Sequence, residues 1–183
     1  MPAIDVTVHY LEMPARGDLR QKFSSRPGVV FSLVPSPIPE LNRFFYAAIG
    51  GDWFWLERRQ WTLAQWLEWL NRPELETWVL SVDGIPAGYV EIEKRTNGDA
   101  ELMYFGLLAP FVGWGLGAHL LSVAVSRAWD LGASRVMLNT CTLDHPGALG
   151  NYLARGFREY RTEVKRKEIP VEKPGPWEGA TSP

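Results

Sequence analysis

Residues 111–121 read FVGWGLGAHLL, with glycine at positions 113, 115 and 117 followed by a leucine-rich helical pattern. Glycine has no Cβ, so a turn of this composition can adopt positive φ and let a ligand approach its backbone closely. The first turn of a helix leaves N–H groups unpaired and carries partial positive charge, which favours a bound anion. The stretch therefore predicts a phosphate-binding turn at a helix start. A tight turn without any ligand is the alternative interpretation.

Two well-known phosphate-binding loops do not fit this turn. Gly113, Gly115 and Ala118 satisfy G-x-G-x-x-A, but in a dinucleotide site the glycines directly follow a strand and an acidic residue ends the next strand. Here four residues separate the predicted strand from the first glycine, and the next predicted strand ends in Asn-Thr. A nucleoside triphosphate loop requires Gly-Lys-Ser or Gly-Lys-Thr. The sequence has Gly-Ala-His at positions 117–119.

The rest of the sequence predicts strands and helices on both sides of this turn. Alternating or continuous apolar runs predict strands at 4–10, 77–82, 85–94, 99–108, 135–140 and 157–166. Helical spacing and capping residues predict helices at 39–49, 63–70, 115–131 and 146–155. The strands at 99–108 and 135–140 should be parallel neighbours joined by a right-handed crossover. This order predicts an α/β (α+β) fold, with one mixed sheet covered by helices on both faces.

Length and composition limit the class of protein. A chain of 183 residues predicts one domain, residues 1–183. The single cysteine excludes an internal disulfide, and the N-terminal residues contain no signal-peptide pattern, which favours the cytoplasm. No apolar run is long enough for a membrane span, and a net charge of -2 gives no reason to expect a nucleic-acid partner. The sequence leaves a homodimer open.

Two short motifs lie around and after the glycine turn. Residues 112–117 follow the pattern Q/R-x-x-G-x-G/A, with Val112 in place of Gln or Arg. Further on, Ala148 is followed four residues later by Tyr152 and then by Gly156-Phe157. With this order and spacing, the region from 77 to 165 resembles the Gcn5-related N-acetyltransferase (GNAT) superfamily. The resemblance implies a variable acceptor-side region at 1–76 and an acyl-coenzyme A core at 77–166. The Pro- and Gly-rich composition near the end of the sequence predicts a flexible tail at 167–183.

The resemblance also implies acetyl-coenzyme A as the acyl donor, lying between parallel strands that splay after Phe105 and Leu138. Its pantetheine arm would pair with strand 101–108, and its diphosphate would lie on the glycine turn. The N–H of Leu107 would polarise the thioester carbonyl. The implied donor-binding residues are Phe105, Leu107, Val112, Gly113, Trp114, Gly115, Leu116, Gly117 and Ala118.

Proton transfer needs an acid for the leaving thiolate and a base for the attacking amine. The resemblance implies Tyr152 as the general acid, and a core tyrosine with a bonded hydroxyl is the alternative. Glu101 is a candidate base that could instead lie on a solvated face of its strand. His145 is a competing base or a structural loop residue. Cys141 is more typical of a small buried hydrophobe than of a nucleophile, and no side-chain cluster has metal-ligand spacing.

Five of the nine tryptophans lie between residues 53 and 69, on the side where this family binds its acceptor. Trp53 and Trp55 are candidate substrate contacts, because aromatic faces attract cations and apolar amines, and His145 joins them. Trp66 and Trp69 are predicted to pack their helix onto the sheet. The acidic residues that could hold an ammonium group are Asp52, Glu57, Glu68, Glu91 and Glu93.

These observations predict an enzyme that transfers acetyl from acetyl-coenzyme A to a primary amine of a small molecule, by direct attack in a ternary complex and without a metal. A non-catalytic module that binds or senses acyl-coenzyme A is an alternative. A protein or peptide N-acetyltransferase is another. An interaction domain that uses the tryptophans would bind no coenzyme A.

Overall fold

Seven strands and four helices make up residues 1–180, the part of the chain described by this computed structural model. The sheet has the order β2-β3-β4-β5-β6-β1-β7. The strands are β1 Ala3–Met13, β2 Val29–Leu33, β3 Leu75–Val82, β4 Ile85–Lys94, β5 Ala100–Leu107, β6 Val136–Cys141 and β7 Arg158–Glu168. The helices are α1 Pro39–Gly50, α2 Leu63–Leu70, α3 Leu116–Asp130 and α4 Ala148–Ala154, and short 3-10 turns occur at Arg16–Asp18, Gly51–Trp53 and Ala109–Phe111.

Local sequence signals explain where several of these elements begin and end. Thr62 and Gln65 form a reciprocal capping box at the start of α2, which satisfies N–H groups that the first helical turn leaves unpaired. Asp83 and Gly84 both adopt positive φ, at 51° and 80°, as a two-residue turn between β3 and β4 requires. The mixed α/β sheet and the helices predicted from sequence are therefore confirmed. Strand β2 lies in a Pro/Gly/Ser-rich region for which no strand was predicted.

The sheet opens between β5 and β6. These strands pair in parallel only at Ala100–Val136 and Glu101–Met137. The prediction that they separate after Phe105 and Leu138 is thus wrong by four residues on β5. The cause lies on the other edge of β5, where two of its residues oppose one residue of β4 and Tyr104 has a φ of 48°. Such a bulge bends a strand away from its neighbour.

The main core lies between the sheet and α3, and a smaller aromatic core lies beneath α1 and α2. The C-terminal segment also packs onto this second region. Gly175 donates its N–H to the carbonyl of Gly51 (3.2 Å) and accepts from Nη1 of Arg59 (2.9 Å). Trp177 is 66% exposed, so the segment docks through its backbone rather than through this tryptophan. Residues 181–183 of the predicted tail lie outside the described residues. Over residues 1–180, the helices are too short or too polar to cross a bilayer.

Candidate functional site

A cavity of about 780 Å³ fills the gap between β5 and β6. One end is lined by the glycine turn, including Val112, Gly113, Gly115 and Gly117. The opposite end is lined by the turn from 52 to 55, and Glu101, Phe105, Leu107, His145 and Tyr152 lie along the walls. The cavity therefore brings together predicted site residues from both halves of the chain. The side chains of Trp114, Leu116 and Ala118 do not line it: Leu116 is buried in the core and Trp114 is half-exposed outside.

The glycine turn presents free backbone donors to this cavity. Gly113 and Gly115 have φ values of 87° and 75°, and a Cβ built on either would meet no atom within 4 Å. The N–H of Val112 already bonds to the carbonyl of Ala109 (3.2 Å). From 113 to 118, the N–H groups have no acceptor among residues 1–180. Unpaired donors, open space and a helix start fit a bound anion such as a diphosphate.

The edge of β5 facing the cavity offers another backbone donor. Leu108 donates its N–H to the carbonyl of Ala87 in β4 (2.8 Å). Since successive N–H groups alternate across a strand, the N–H of Leu107 faces the opening toward β6. Leu107 also lines the cavity. An extended ligand in the gap can therefore hydrogen-bond to this strand as a neighbouring strand would.

Tyr152, on α4, lines the cavity. The residue is only 6% exposed, and its hydroxyl forms no hydrogen bond with any part of the chain that the structure describes. Burial, and then the nearby carboxylate of Asp144, raises the pKa of Tyr152 well above its ordinary value. The hydroxyl thus stays protonated throughout the physiological range. The alternative of a core tyrosine with a bonded hydroxyl does not fit this arrangement.

The two candidate bases lie on the cavity wall with their polar atoms partly engaged. Glu101 uses Oε2 to accept hydrogen bonds from Arg95, and Oε1 has no donor within residues 1–180. The Nδ1 of His145 accepts a hydrogen bond from the N–H of Gly147 (2.9 Å). This bond orients the imidazole ring and occupies the lone pair of Nδ1. Cys141 also lines the cavity, but burial and then Asp144 raise the pKa of its thiol, which disfavours a nucleophilic thiolate.

The tryptophan-rich segment encloses an ion pair of the protein itself. Arg58, which is 2% exposed, donates from Nη1 to both oxygens of the fully buried Glu91 (3.1 and 2.9 Å). Its guanidinium carbon lies 3.7 Å from the ring centre of Tyr104 and 4.0 Å from that of Trp69. Asn42 and Trp69 also donate to Glu91 (3.0 and 2.8 Å). Sequence reasoning missed Arg58; an arginine among tryptophans was the available signal.

This pair removes several predicted ammonium-binding residues from consideration. Glu91 is paired with Arg58, and Glu93 is paired with Arg72 and Arg95. Glu68 is exposed on α2, away from the cavity lining. Trp66 is buried and Trp69 packs against Arg58, so the prediction that both pack their helix is confirmed.

Two of the predicted acidic residues line the end of the cavity opposite the glycine turn. Asp52 lines the wall and forms no ion pair or side-chain hydrogen bond with any described residue. Glu57 also lines the wall, accepts from the hydroxyl of Tyr46 (3.3 Å) and lies 3.9 Å from Nζ of Lys167. The unpaired carboxylate of Asp52 is thus available to a cationic ligand.

Trp53 and Trp55 occupy different positions beside these carboxylates. Trp53 lies edge-on to the ring of His145 (5.3 Å between centroids), and Nζ of Lys173 lies 4.9 Å from its ring centre. Trp55 packs between Tyr46 and Tyr104, with centroids 5.5 and 5.4 Å away. Both tryptophans line the cavity, as do Ile49, Phe54 and Leu143. This end of the cavity is therefore apolar and aromatic, with Asp52, Glu57 and Lys167 at its wall.

Residues 1–180 contain no cluster of three or more His, Cys, Asp or Glu side chains arranged to hold a metal ion. The functional groups at the cavity are backbone donors, a protonated tyrosine and carboxylates. Within residues 1–180 the sheet has a single parallel pair and opens beyond it, so the cavity can hold an extended ligand with an anionic group at the glycine turn.

Sequence comparison identifies the family. A profile of the acetyltransferase (GNAT) family matches residues 38–157, about two thirds of the chain, and the chain belongs to that family. The match begins well before residue 77, where the resemblance of the sequence motifs starts. Among curated proteins, none matches the sequence.

Solved structures share the fold at low sequence identity. A GCN5-related N-acetyltransferase from Sphaerobacter thermophilus has a TM-score of 0.68 at 18% identity, covering 93% of this chain and 53% of that one. One from Kribbella flavida has a TM-score of 0.61 at 22% identity, covering 86% and 56%. An aminoglycoside acetyltransferase from an uncultured soil metagenomic sample, in complex with trehalose, gives 0.57 at 11% identity, covering 70% and 87%. The chain thus spans only about half the length of the first two.

Proposed function

We propose that this protein transfers an acetyl group from acetyl-coenzyme A to the primary amine of a small molecule. The observation that supports this most directly is one cavity with free amides at one end, an unbonded Tyr152 hydroxyl in its wall and an acidic aromatic pocket at the other end. The donor contributes an activated acyl group and a thiol leaving group. The N–H groups of 113–118 would hold its diphosphate, and the N–H of Leu107 would stabilise negative charge on the thioester oxygen.

The remaining groups would move protons. Tyr152 would donate to the departing sulfur, because its hydroxyl is protonated and has no other partner. Glu101 is our candidate acceptor for the amine proton, through the carboxylate oxygen that Arg95 leaves free. Both substrates would be bound together, and the amine would attack the thioester directly.

The experiment that tests this function is a thiol-release assay with acetyl-coenzyme A and a broad panel of primary amines. We expect Tyr152→Phe to lower kcat about 100-fold with little change in donor affinity, because general acid catalysis typically contributes at least that factor. Since burial raises the pKa of Tyr152, its titration should cause no loss of activity up to about pH 10, near the unperturbed tyrosine pKa. Tyr160→Phe, at an exposed tyrosine of β7, is the control. Equal turnover in wild type and Tyr152→Phe would remove Tyr152 from the mechanism.

The acceptor end favours a cationic amine with an apolar or aromatic body. Asp52 is the acidic group there without a partner in the described chain, and Ile49, Trp53 and Trp55 surround it with apolar surface. An ammonium group beside Asp52 and a ring against the tryptophans would satisfy both features. The similar fold described above is that of a protein named for aminoglycosides, whereas the proposed acceptor end here is lined mainly by apolar and aromatic side chains.

Replacing Asp52 tests this assignment. We expect Asp52→Asn to raise KM for arylalkylamines about tenfold while leaving KM for acetyl-coenzyme A unchanged, since a charge-assisted hydrogen bond is lost only at the acceptor. Glu68→Gln, which removes an exposed carboxylate outside the cavity, should change neither value. Steady-state kinetics with each substrate varied in turn provides both constants. An unchanged amine KM in Asp52→Asn would contradict the assignment.

A coenzyme A-binding sensor is the second candidate, and the engagement of Glu101 by Arg95 and of His145 by Gly147 favours it. A sensor would bind coenzyme A tightly but release no thiol with any amine of the panel. Tyr152→Phe would then alter neither property. Calorimetry and the thiol assay, run on the same preparation, distinguish the two functions.

A further inference from the structure

Residues 20–26 lie along the first half of α3, outside the cavity. Lys22 donates its N–H to Oγ of Ser122 (2.9 Å), and Ser24 donates its N–H to Nδ1 of His119 (3.2 Å). These bonds fix the segment against the helix that follows the glycine turn. We call residues 20–26 the basic segment, because they include three of the positive charges of a chain whose net charge is -2.

The end of the basic segment reaches the glycine turn. The guanidinium carbon of Arg26 lies 4.0 Å from the centre of the Trp114 ring, within the range of a cation–π interaction. Trp114 is 44% exposed and lies between two glycines of the turn. Arg20, Lys22 and Arg26 form no ion pair with a carboxylate in the chain as described. The sequence has no lysine or arginine between Arg95 and Arg127. The fold places Arg26 beside the turn although it lies almost ninety residues earlier in the chain.

The proposed donor, acetyl-coenzyme A, carries an anionic group that Arg26 could bind. Coenzyme A continues from its diphosphate into adenosine, whose ribose carries a further phosphate at the 3′ position. If the diphosphate lies on amides 113–118, the adenosine leaves the cavity on the outer side of the turn, where Trp114 and Arg26 are exposed. The amides can hold the diphosphate, but they leave the doubly charged 3′-phosphate without a cation.

We propose that Arg26, held over Trp114, binds the 3′-phosphate of coenzyme A. The inference rests on the proposed function, and it narrows the donor to a free coenzyme A thioester. An acyl group on the phosphopantetheine arm of a carrier protein lacks this phosphate and gains nothing from Arg26. Arg20 and Lys22 add positive potential along the same face of α3.

The test is calorimetric titration of the full chain with coenzyme A and with dephospho-coenzyme A, which lacks only the 3′-phosphate. We expect the wild type to bind coenzyme A about tenfold more tightly, as one exposed charge-assisted contact would provide. Arg26→Gln should bind both ligands with the affinity that the wild type has for dephospho-coenzyme A. The control Arg43→Gln, which removes an exposed arginine of α1, should keep the tenfold preference.

Three results would contradict either the role of Arg26 or the proposed function. Equal binding of the two ligands by the wild type would overturn the role of Arg26 and leave the proposed function intact. A preference that survives in Arg26→Gln would also overturn it. If the wild type binds neither ligand, the proposed function fails, and the inference fails with it.

Discussion

Gly115→Glu is expected to weaken coenzyme A binding about 1,000-fold, because juxtaposed like charges cost several kcal/mol and the new side chain fills the diphosphate position. A Cβ at Gly115 meets open space within 4 Å, so the substitution displaces no protein atom. The carboxylate would occupy the amides that otherwise remain free. Calorimetry with coenzyme A measures the loss.

Backbone strain needs its own control, since Gly115 has a φ of 75° and glutamate rarely adopts that conformation. Gly132 follows the other end of α3 with a φ of 79°, and a Cβ there also meets no atom within 4 Å. Gly132→Glu therefore introduces the same side chain into a similar conformation, away from the cavity. It should destabilise the fold to a similar extent and bind coenzyme A normally. Equal affinities in the two variants would contradict the placement of the diphosphate.

Arg58→Met is expected to lower the free energy of unfolding by about 3–5 kcal/mol, because it leaves Glu91 as a buried charge without a counterion. Methionine retains much of the apolar volume of the arginine stem, so the loss reflects charge more than packing. Urea denaturation monitored by tryptophan fluorescence provides the measurement.

Two further variants test whether the stability lost in Arg58→Met comes from the buried charge of Glu91. Arg166→Met breaks a bridge to Asp5 whose partners are 68% and 64% exposed, and it should cost less than about 1 kcal/mol. Arg58→Met combined with Glu91→Gln should recover part of the stability, because glutamine removes the charge, although its single amide oxygen can accept from only one of Asn42 and Trp69. No recovery in the double variant would show that packing around Arg58, rather than charge, dominates.

The elements of the fold and the glycine turn at one end of the cavity could be predicted because their signals are local. Glycines at 113 and 115 mark positive φ, a capping box marks the start of α2, and Asp83-Gly84 marks the hairpin. Each signal depends on backbone sterics within a few residues, so a single sequence contains it. The gap between β5 and β6 was predicted, but its starting point was not. The bulge occurs at Tyr104, a residue type that gives no warning of positive φ.

The chemistry between distant segments could not be predicted in this way. Arg58 and Glu91 are 33 residues apart, and the hydrophobic pattern of their segments is compatible with either residue facing solvent. Trp114 and Arg26 meet only because the basic segment is anchored to α3 through Ser122 and His119. Tertiary packing decides such partners, so the sequence could name Glu91 as a ligand-binding candidate but could not reveal that the protein itself neutralises it.

Gly175 crosses Gly51 directly beside the turn from 52 to 55, so the C-terminal segment supports one end of the cavity and not the glycine turn at the other. A Cβ on Gly51 would overlap the backbone of Gly175, so the crossing depends on the absence of a side chain at Gly51. The donor end is built without this crossing, from residues 100–118 and 138–152. Removal of residues 172–180 is therefore expected to withdraw the outer support of the turn from 52 to 55 and to leave the glycine turn unchanged. Under the proposed function, exchanging that segment between relatives would alter amine selectivity and leave the donor unchanged.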